Sequence, residues 1–241
     1  MDYSIIIPAY NEEKYISIAL ESVAKAVNEI FSSKKLDGEI IVVDNNSNDK
    51  TAEIGRAYGA NVVFEPVNCI ARARNKGAES ALGKYLIFID ADTSVPADLV
   101  EATLDRMLSG TYCGGGAYVG FEKDFRPFLP RIIAGIWNWA VSLYPVAAGS
   151  YLFCLRDAWL ETGGFDETYF ASEELYFSRE IRKWGEGRGM KFGIISIKVM
   201  TSSRKFRDYS VFELFVKFFS LLINPRRLKN KKYCSVWYER R

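Results

Sequence analysis

The 241-residue chain contains no histidine. This absence excludes zinc proteases of the HExxH type, Ser-His-Asp hydrolases and any site that needs an imidazole ligand or base. Cysteine is also sparse, because Cys69, Cys113, Cys154 and Cys234 are widely separated and form no Cys-x-x-Cys pair. We therefore expect reduced cysteines in the core of a cytosolic protein, and neither a zinc site nor a disulfide framework.

Long apolar runs, excess charge and two glycine signatures are missing as well. No uncharged apolar stretch is long enough to span a bilayer, and the first strand starts so early that we expect no signal peptide. A net charge of +2 does not favour a nucleic-acid partner. There is no G-x-G-x-x-G after the first apolar segment, and Gly83-Lys84 lacks Walker spacing. Phosphate groups would then be held by a metal ion and basic side chains.

The segment that stands out is the apolar run Tyr85–Ile89, which leads directly into Asp90 and Asp92. Such a run predicts a strand buried on both faces of a parallel sheet. Residues two apart on an extended chain point the same way, so the two carboxylates are expected to lie together. A hard divalent cation that carries substrate phosphates would compensate their repulsion. The alternative is that the pair caps a helix or makes a solvated turn.

Apolar strands alternate with helical segments along the chain. We predict strands at 3–7, 39–43, 61–64, 85–89, 112–121, 149–155 and 192–199, and helices at 11–31, 47–58, 71–82, 96–108, 130–144, 172–184 and 211–223. This alternation predicts an α/β fold with a mainly parallel central sheet and helices on both faces. The last helix and the basic tail after it form a C-terminal extension.

Polar clusters follow three of the predicted strands. They are Pro8-Ala-Tyr-Asn11, Asp44-Asn-Asn46 and Asp90-Ala-Asp92. In open parallel sheets, ligands bind outside the carboxyl ends of the strands, so the three clusters favour one combined site. A second acidic station, after that of Asp90 and Asp92, is Glu173-Glu174 at the start of a later helix. The alternative is that these two glutamates are an ordinary acidic first turn of that helix.

Taken together, these segments resemble the family 2 glycosyltransferases, inverting enzymes of the GT-A fold that use a nucleotide-diphosphate sugar. The matching segments are Ile5-Ile-Ile-Pro-Ala-Tyr-Asn-Glu12, Ile41-Val-Val-Asp-Asn-Asn-Ser-Asn-Asp49, Ala71-Arg-Ala-Arg-Asn-Lys-Gly77, Phe88-Ile-Asp-Ala-Asp92, Gly163-Gly-Phe-Asp-Glu167, Glu173-Glu-Leu175 and Arg182-Lys-Trp-Gly185. The resemblance implies a GT-A domain over residues 1–204, with a nucleotide-binding half at 1–92 and an acceptor half at 93–204. The extension would occupy residues 205–241.

The resemblance also implies roles for single residues. The donor would be bound by Pro8, Ala9, Tyr10, Glu12, Asp44, Arg72 or Arg74, and Asp90, with Asp44 on the base. Asp92, with Asp90 nearby, would bind Mg²⁺ or Mn²⁺ that bridges the diphosphate. Glu174 would be the general base, at a position where aspartate is usual, with Glu173 as its neighbour. In a chain without histidine, glutamate or aspartate is the natural base.

One departure concerns the metal. Many GT-A enzymes add a late histidine to the metal ion, and this chain has none. Thr201-Ser-Ser-Arg204 occupies the corresponding region after the last strand. We expect Ser202 or Arg204 to contact the diphosphate there instead.

The expected partners are a nucleotide-diphosphate sugar and a saccharide or lipid-linked acceptor. The apolar segments 130–144 and 211–223 and the basic residues that follow suggest a membrane-surface site, and hence a cytoplasmic protein that is peripheral at the inner membrane face. The basic residues are Arg226, Arg227, Lys229, Lys231 and Lys232. The alternative is that both helices cover the sheet and the tail is solvated.

Two other functions are compatible with this pattern. A sugar-nucleotidyltransferase uses a related sheet, but it would need a glycine-rich basic loop where Pro8-Ala-Tyr-Asn-Glu12 stands. A non-catalytic protein that binds nucleotide sugars or a membrane surface would not need two intact acidic stations.

Overall fold

The structure is a computed structural model, and it describes residues 1–121 and 128–238. Its strands are β1 (Tyr3–Ala9), β2 (Gly38–Asp44), β3 (Asn61–Phe64), β4 (Tyr85–Ile89), β5 (Thr93–Ser94), β6 (Tyr112–Phe121), β7 (Tyr151–Leu155) and β8 (Lys191–Thr201). Its helices are α1 (Ile16–Lys34), α2 (Thr51–Ala57), α3 (Ile70–Ser80), α4 (Ala97–Leu108), α5 (Phe128–Leu143), α6 (Arg156–Thr162), α7 (Glu173–Glu186), α8 (Arg204–Asp208), α9 (Val211–Ile223) and α10 (Ser235–Tyr238). Two 3-10 helices, Pro225–Lys229 and Lys231–Cys234, connect α9 to α10.

Within the described residues, the strands form a single mixed sheet in the order β3-β2-β1-β4-β7-β6-β8-β5. Strands β3, β2, β1 and β4 are parallel, and β6 is parallel to β8. Only β7, which runs antiparallel between β4 and β6, and the short β5 reverse direction among these strands. The carboxyl ends of β1, β2, β4, β6 and β8 therefore meet at one edge of the sheet, together with the amino end of β7.

The sheet separates two hydrophobic layers, as the predicted run of buried strands requires. All residues of β1 and β4 are buried, and successive side chains alternate between the layers. Ile5 and Ile7 pack with α1 and α4 on one face, whereas Ile6 packs with α3 and α7 on the other. The central strands are thus covered by helices on both sides, which explains their lack of polar alternation.

Helix α3 lies unusually close to the sheet because its buried face is built from small residues. They are Ala71, Ala73, Gly77 and Ala78. A Cβ atom at Gly77 would lie 2.3 Å from Cγ2 of Ile6, so only glycine allows this approach. The close approach brings the polar residues of α3 to the edge where the strands end.

The predicted elements agree closely with the structure, with one instructive shift. The predicted strands at 61–64, 85–89 and 112–121 and the predicted helix at 211–223 have the observed bounds. Helix α1, however, begins at Ile16 and not at Asn11, because Asn11 adopts a left-handed φ of 52°. The backbone N–H of Glu12 then donates to Oγ1 of Thr51, which holds this loop at the sheet edge. The short elements β5, α6, α8 and α10 were not predicted.

The predicted core position of the four cysteines is confirmed. Cys69, Cys113, Cys154 and Cys234 are all free thiols and all buried. Across residues 1–121 and 128–238, no helix has both the length and the apolar content that crossing a bilayer requires.

Substitution of Gly77 by alanine tests the close packing of α3. We expect Gly77→Ala to lower the free energy of unfolding by about 1–3 kcal/mol, because the new methyl group overpacks against Ile6. Thermal unfolding should then show a melting temperature about 2–4 °C lower per kcal/mol. Gly187→Ala is the matched control, since its φ is −64° and its Cβ would meet nothing nearer than 3.7 Å. Equal melting temperatures for the two variants would contradict the packing argument.

Candidate functional site

A cavity of about 380 Å³ opens at the edge where the parallel strands end. Its sheet side is lined by Pro8, Ala9, Tyr10, Glu12, Asn45, Asp90, Ala91, Asp92, Gly149, Ser150, Thr201, Ser202 and Arg204. The first turns of α3 and α7 add Ile70, Arg74, Glu173 and Glu174. Residues from all three predicted clusters therefore line one cavity, at the position that the topology of parallel sheets favours.

Arg74 is the buried centre of this cavity, with 1% of its side chain exposed. Its Nη2 donates to Oδ1 of Asp90 and to the carbonyl oxygen of Gly149, each at 3.0 Å, and its Nη1 donates to Oε1 of Glu173. Burial alone would lower the pKa of Arg74, but the charges of Glu173 and Asp90 raise it above its ordinary value. Three separate segments are therefore joined through one permanently charged guanidinium group.

Gly149 leaves room for this arrangement. A Cβ atom at Gly149 would lie 2.9 Å from Nη2 of Arg74. The segment before β7 can therefore approach the guanidinium closely enough for its carbonyl oxygen to accept a hydrogen bond.

The two glutamates at the start of α7 have different surroundings. Glu173 is buried and paired with Arg74, whereas Glu174 is half-buried and lines the cavity. Burial, and then the negative charge of Glu173, raise the pKa of Glu174 to about 8. Glu174 is therefore mostly protonated below that pH and becomes a proton acceptor as the pH rises through it.

A second arginine engages the other aspartate. Nη2 of Arg204 donates to Oε1 of Glu12 at 2.7 Å and lies 3.0 Å from Oδ2 of Asp92, while Nη1 donates to Oε2 of Glu12. The guanidinium also lies over the ring of Tyr15, 5.2 Å from its centroid. Arg204 reaches this place because the segment after β8 runs along Asp92, whose carbonyl oxygen accepts from the N–H of Ser202 at 3.0 Å.

Asp90 and Asp92 both line the cavity, and each carboxylate has its own arginine. Both aspartates line the cavity and offer the oxygen ligands that Mg²⁺ and Mn²⁺ prefer. Across residues 1–121 and 128–238, no group of three or more Asp, Glu or Cys side chains is placed to hold a metal ion. A metal ion at Asp92 would need its remaining ligands from phosphate oxygens and water, which is how Mg²⁺ is commonly bound.

Two predicted donor residues do not line the cavity. Arg72 pairs instead with Glu65 and Glu167, so of the two arginine alternatives it is Arg74 that reaches the site. Asp44 is buried, and its Oδ1 accepts from the backbone N–H of Ser47 at 2.9 Å. The contact of Asp44 with a base stays a prediction, and its neighbour Asn45 lines the cavity in its place.

Sequence reasoning missed the apolar wall of the cavity. This wall consists of Val119, Phe121, Ile133, Ala134, Trp137, Ala148, Phe206, Trp237 and Tyr238, together with the polar residue Asn68. These residues come from β6, α5, α8 and α10 and from loops between elements, and only the apolar character of segment 130–144 hinted at them.

A change of Glu174 to glutamine tests its unusual surroundings. The folded state raises the pKa of Glu174 from 4.5 to about 8, so ionisation of this group opposes folding. As the pH rises from 4.5 to about 8, the free energy of unfolding of the wild type therefore falls relative to that of Glu174→Gln, and above pH 8 it stays lower. At pH 9 we expect the free energy of unfolding of the variant to be about 1–3 kcal/mol higher than that of the wild type, with the partial exposure of Glu174 taken into account.

Thermal unfolding from pH 5 to pH 9 measures this difference. Glu180→Gln, an exposed substitution on the same helix, is the control and should show no such trend. A difference between Glu174→Gln and wild type that does not change with pH would contradict the raised pKa.

Two solved structures of glycosyltransferases resemble this fold. Staphylococcus aureus TarS 1–349 in complex with UDP-GlcNAc superimposes with a TM-score of 0.64 at 19% identity, covering 84% of this chain and 59% of TarS. The mannosyltransferase PcManGT of Pyrobaculum calidifontis, in complex with GDP-Man and Mn²⁺, gives 0.59 at 18% identity, covering 82% and 56%. At these identities the likeness shows the fold, which is GT-A.

Sequence comparison leads to the same group of proteins. An uncharacterized glycosyltransferase of Haemophilus influenzae is 33% identical over 111 residues, which cover 44% of this chain and 42% of that protein. The dolichol-phosphate mannosyltransferase of Pyrococcus furiosus is 28% identical over 144 residues, covering 56% and 38%. This chain thus spans about two fifths of the length of these curated relatives. Because the family model of glycosyl transferase family 2 matches residues 4–155, well over half of the chain, this protein belongs to glycosyl transferase family 2.

Proposed function

We propose that the protein is an inverting, metal-dependent glycosyltransferase that moves a sugar from a nucleotide-diphosphate sugar to an acceptor hydroxyl, with Glu174 as general base. The observation that supports this most directly is that a glutamate with a pKa of about 8 and the Asp90/Asp92 pair line one cavity of a family 2 domain. The two acidic stations serve two needs of the reaction, which are proton removal and charge compensation.

The donor occupies the sheet side of the cavity in this proposal. Pro8, Ala9 and Tyr10 lie at the carboxyl end of β1 and form the floor for the nucleotide. Arg204 stands beside Asp92 with its guanidinium at the cavity wall, which suits it to bind a diphosphate oxygen. Glu12 holds Arg204 in that position through two hydrogen bonds.

Asp92, with Asp90 beside it, is the proposed holder of Mg²⁺ or Mn²⁺. Fold neighbours bind UDP-GlcNAc, or GDP-Man together with Mn²⁺, which supports a nucleotide sugar and a divalent ion here. When bound, such an ion supplies positive charge that stabilises the departing nucleoside diphosphate.

The reaction then proceeds by direct displacement. The acceptor oxygen attacks C1 of the sugar as the bond from C1 to the diphosphate oxygen breaks, with inversion at C1. Glu174 takes the proton of the acceptor hydroxyl, and its raised pKa places it near the optimum for such a transfer. Glu173 is bound to Arg74 and therefore positions α7, which favours Glu174 of the two as the base.

Kinetics of two variants separate these roles. We expect Glu174→Gln to lower kcat by about 10³-fold with little change in donor KM, because the proton acceptor is lost but the donor contacts remain. We expect Arg204→Ala to raise donor KM by roughly tenfold through loss of a charge-assisted contact. The assay is release of nucleoside diphosphate from UDP-, GDP-, dTDP- and CDP-sugars with Mn²⁺.

Arg188→Ala is the control, because Arg188 pairs with Glu161 away from the cavity. Unchanged kcat in Glu174→Gln would remove Glu174 as base, and unchanged donor kinetics in Arg204→Ala would reject its contact with the diphosphate. Formation of pyrophosphate from a nucleoside triphosphate and a sugar phosphate would support a nucleotidyltransferase instead. Donor binding without turnover would support a non-catalytic protein.

The acceptor is proposed to be a saccharide or lipid-linked alcohol presented at a membrane surface. Helix α5 carries one charged residue, Arg131, and exposes Phe128, Trp139 and Leu143 by 79, 65 and 67%. The same helix lines the cavity through Ile133, Ala134 and Trp137. An apolar helix that is exposed on one side and borders the site on the other suits a lipid interface next to the acceptor.

The fold also shows how this helix is attached. Asn138 is buried, and its side chain accepts from the N–H of Val119 and donates to the carbonyl oxygen of Val119, each at 2.9 Å. This pair of bonds ties α5 to the end of β6 and leaves its apolar face outward. We propose this face as the membrane contact, in keeping with a peripheral location at the inner face of the membrane.

Vesicle binding tests the proposed membrane contact. Trp139→Glu should reduce co-sedimentation with vesicles of phosphatidylcholine and phosphatidylglycerol by about tenfold, because a charge replaces an interfacial aromatic group. Leu160→Glu on α6 is the control, since Leu160 is exposed to a similar extent, 67%, but lies on another helix. Wild-type binding by Trp139→Glu would exclude α5 as the membrane contact.

A further inference from the structure

The C-terminal strap, defined here as residues 225–238, is fastened to the segment that precedes α7. The backbone N–H of Phe170 donates to the carbonyl oxygen of Leu228 at 2.8 Å. Nζ of Lys229 lies 3.8 Å from Oδ2 of Asp166 and 4.4 Å from the ring centroid of Tyr169. The strap therefore contacts residues 166–170, which precede the proposed base Glu174 by a few positions in the sequence.

The strap is also fastened to the start of α3. Nζ of Lys231 donates to the carbonyl oxygen and to Oδ1 of Asn68, at 3.0 and 3.2 Å. The hydroxyl of Tyr238 accepts from the backbone N–H of Ile70 at 3.3 Å. The strap thus joins the loop before α3 to the loop before α7, although 168 residues separate Tyr238 from Ile70.

The end of the strap faces the cavity. Trp237 and Tyr238 line it beside Asn68 and Ile70. Asn68 and Ile70 adjoin the end of β2, where the resemblance places the donor base beside Asp44. The side chain of Asn45 donates to the carbonyl oxygen of Val67 at 2.6 Å and accepts from the N–H of Cys69 at 2.9 Å. Burial raises the pKa of Tyr238 well above its ordinary value, so its hydroxyl stays neutral.

The environment of Tyr238 holds its ring in place. Phe170 meets the ring edge-on with a centroid distance of 6.0 Å, and Nζ of Lys231 lies 4.7 Å from the ring centroid. A fixed aromatic ring at a cavity wall is suited to a planar base, and such stacking contributes about 1–3 kcal/mol per base.

We propose that the C-terminal strap is a wall of the donor pocket, in which the ring of Tyr238, with Trp237 beside it, packs against the nucleoside of the donor. The hydroxyl of Tyr238 meanwhile accepts one hydrogen bond, from the backbone N–H of Ile70. This inference rests on the proposed use of a nucleotide donor. It makes the last turn of the described chain a determinant of donor affinity.

Titration calorimetry with UDP, GDP, dTDP and CDP in the presence of Mn²⁺ tests this wall without requiring an acceptor. For the diphosphate that the wild type binds, we expect Tyr238→Leu to raise Kd by about 5- to 150-fold, because leucine keeps the apolar volume but cannot stack. Tyr238→Phe keeps the ring and should stay within about threefold of wild type. In turnover assays the Leu variant should raise donor KM and leave kcat at saturating donor unchanged.

Tyr233→Leu is the matched control, because Tyr233 lies in the same strap, is 43% exposed and does not line the cavity. Its Kd should equal that of wild type, and the melting temperature of each variant shows whether the fold is kept. A wild-type Kd in Tyr238→Leu would contradict the proposed wall. An equal rise of Kd in Tyr233→Leu would also contradict it, because it would indicate a structural effect of the whole strap. A wild type that binds none of the four diphosphates removes the proposed function, and the wall with it.

Discussion

The buried guanidinium of Arg74 is the interaction on which the site depends. It holds Asp90 from the end of β4, Glu173 from the start of α7 and the carbonyl oxygen of Gly149 before β7. A buried charge is stable only when its partners are in place, and removing one partner of such a pair typically costs about 3–5 kcal/mol. The guanidinium of Arg74 therefore holds the segments that carry the proposed donor and base residues in their relative positions, and it also stabilises the folded chain.

A second arginine completes the balance of charge. Arg204 pairs with Glu12 and Asp92, so the two neighbouring aspartates are compensated by different cations from distant parts of the sequence. Within the part of the chain that the structure describes, Glu174 has no ion-pair partner of the kind that Glu173 has in Arg74, and its raised pKa follows from burial and from the charge of Glu173. Two ion-pair networks and one glutamate that resists ionisation thus line a single cavity. The proposed displacement needs both kinds of group, because charge on the leaving group must be compensated and a proton must be removed from the acceptor.

The cavity has two walls of different origin. One side is polar and comes mainly from residues at the carboxyl ends of β1, β2, β4 and β8, whereas the other is apolar and aromatic and comes from the end of β6 and from α5, α8 and α10. The strap contributes Trp237 and Tyr238 to this second wall. In the same strap Lys229 and Lys231 contact Asp166 and Asn68, although both lysines are exposed. Helix α5 presents an exposed apolar face and is tied to the sheet through Asn138.

Local pattern was sufficient for the alternating strands and helices, for the burial of β1 and β4, for the placing of Asp90, Asp92 and Glu174 at element ends, and for the exclusion of imidazole chemistry. These features depend on periodicity, residue type and short spacing, all of which are visible in the chain itself. Tertiary structure alone decided that Arg74 and not Arg72 reaches the cavity, that Asn45 lines it where Asp44 does not, and that Tyr238 closes it. The reason is physical, since these choices depend on contacts such as that of Arg204 with Glu12, across 192 residues, and no local periodicity encodes contacts of that range.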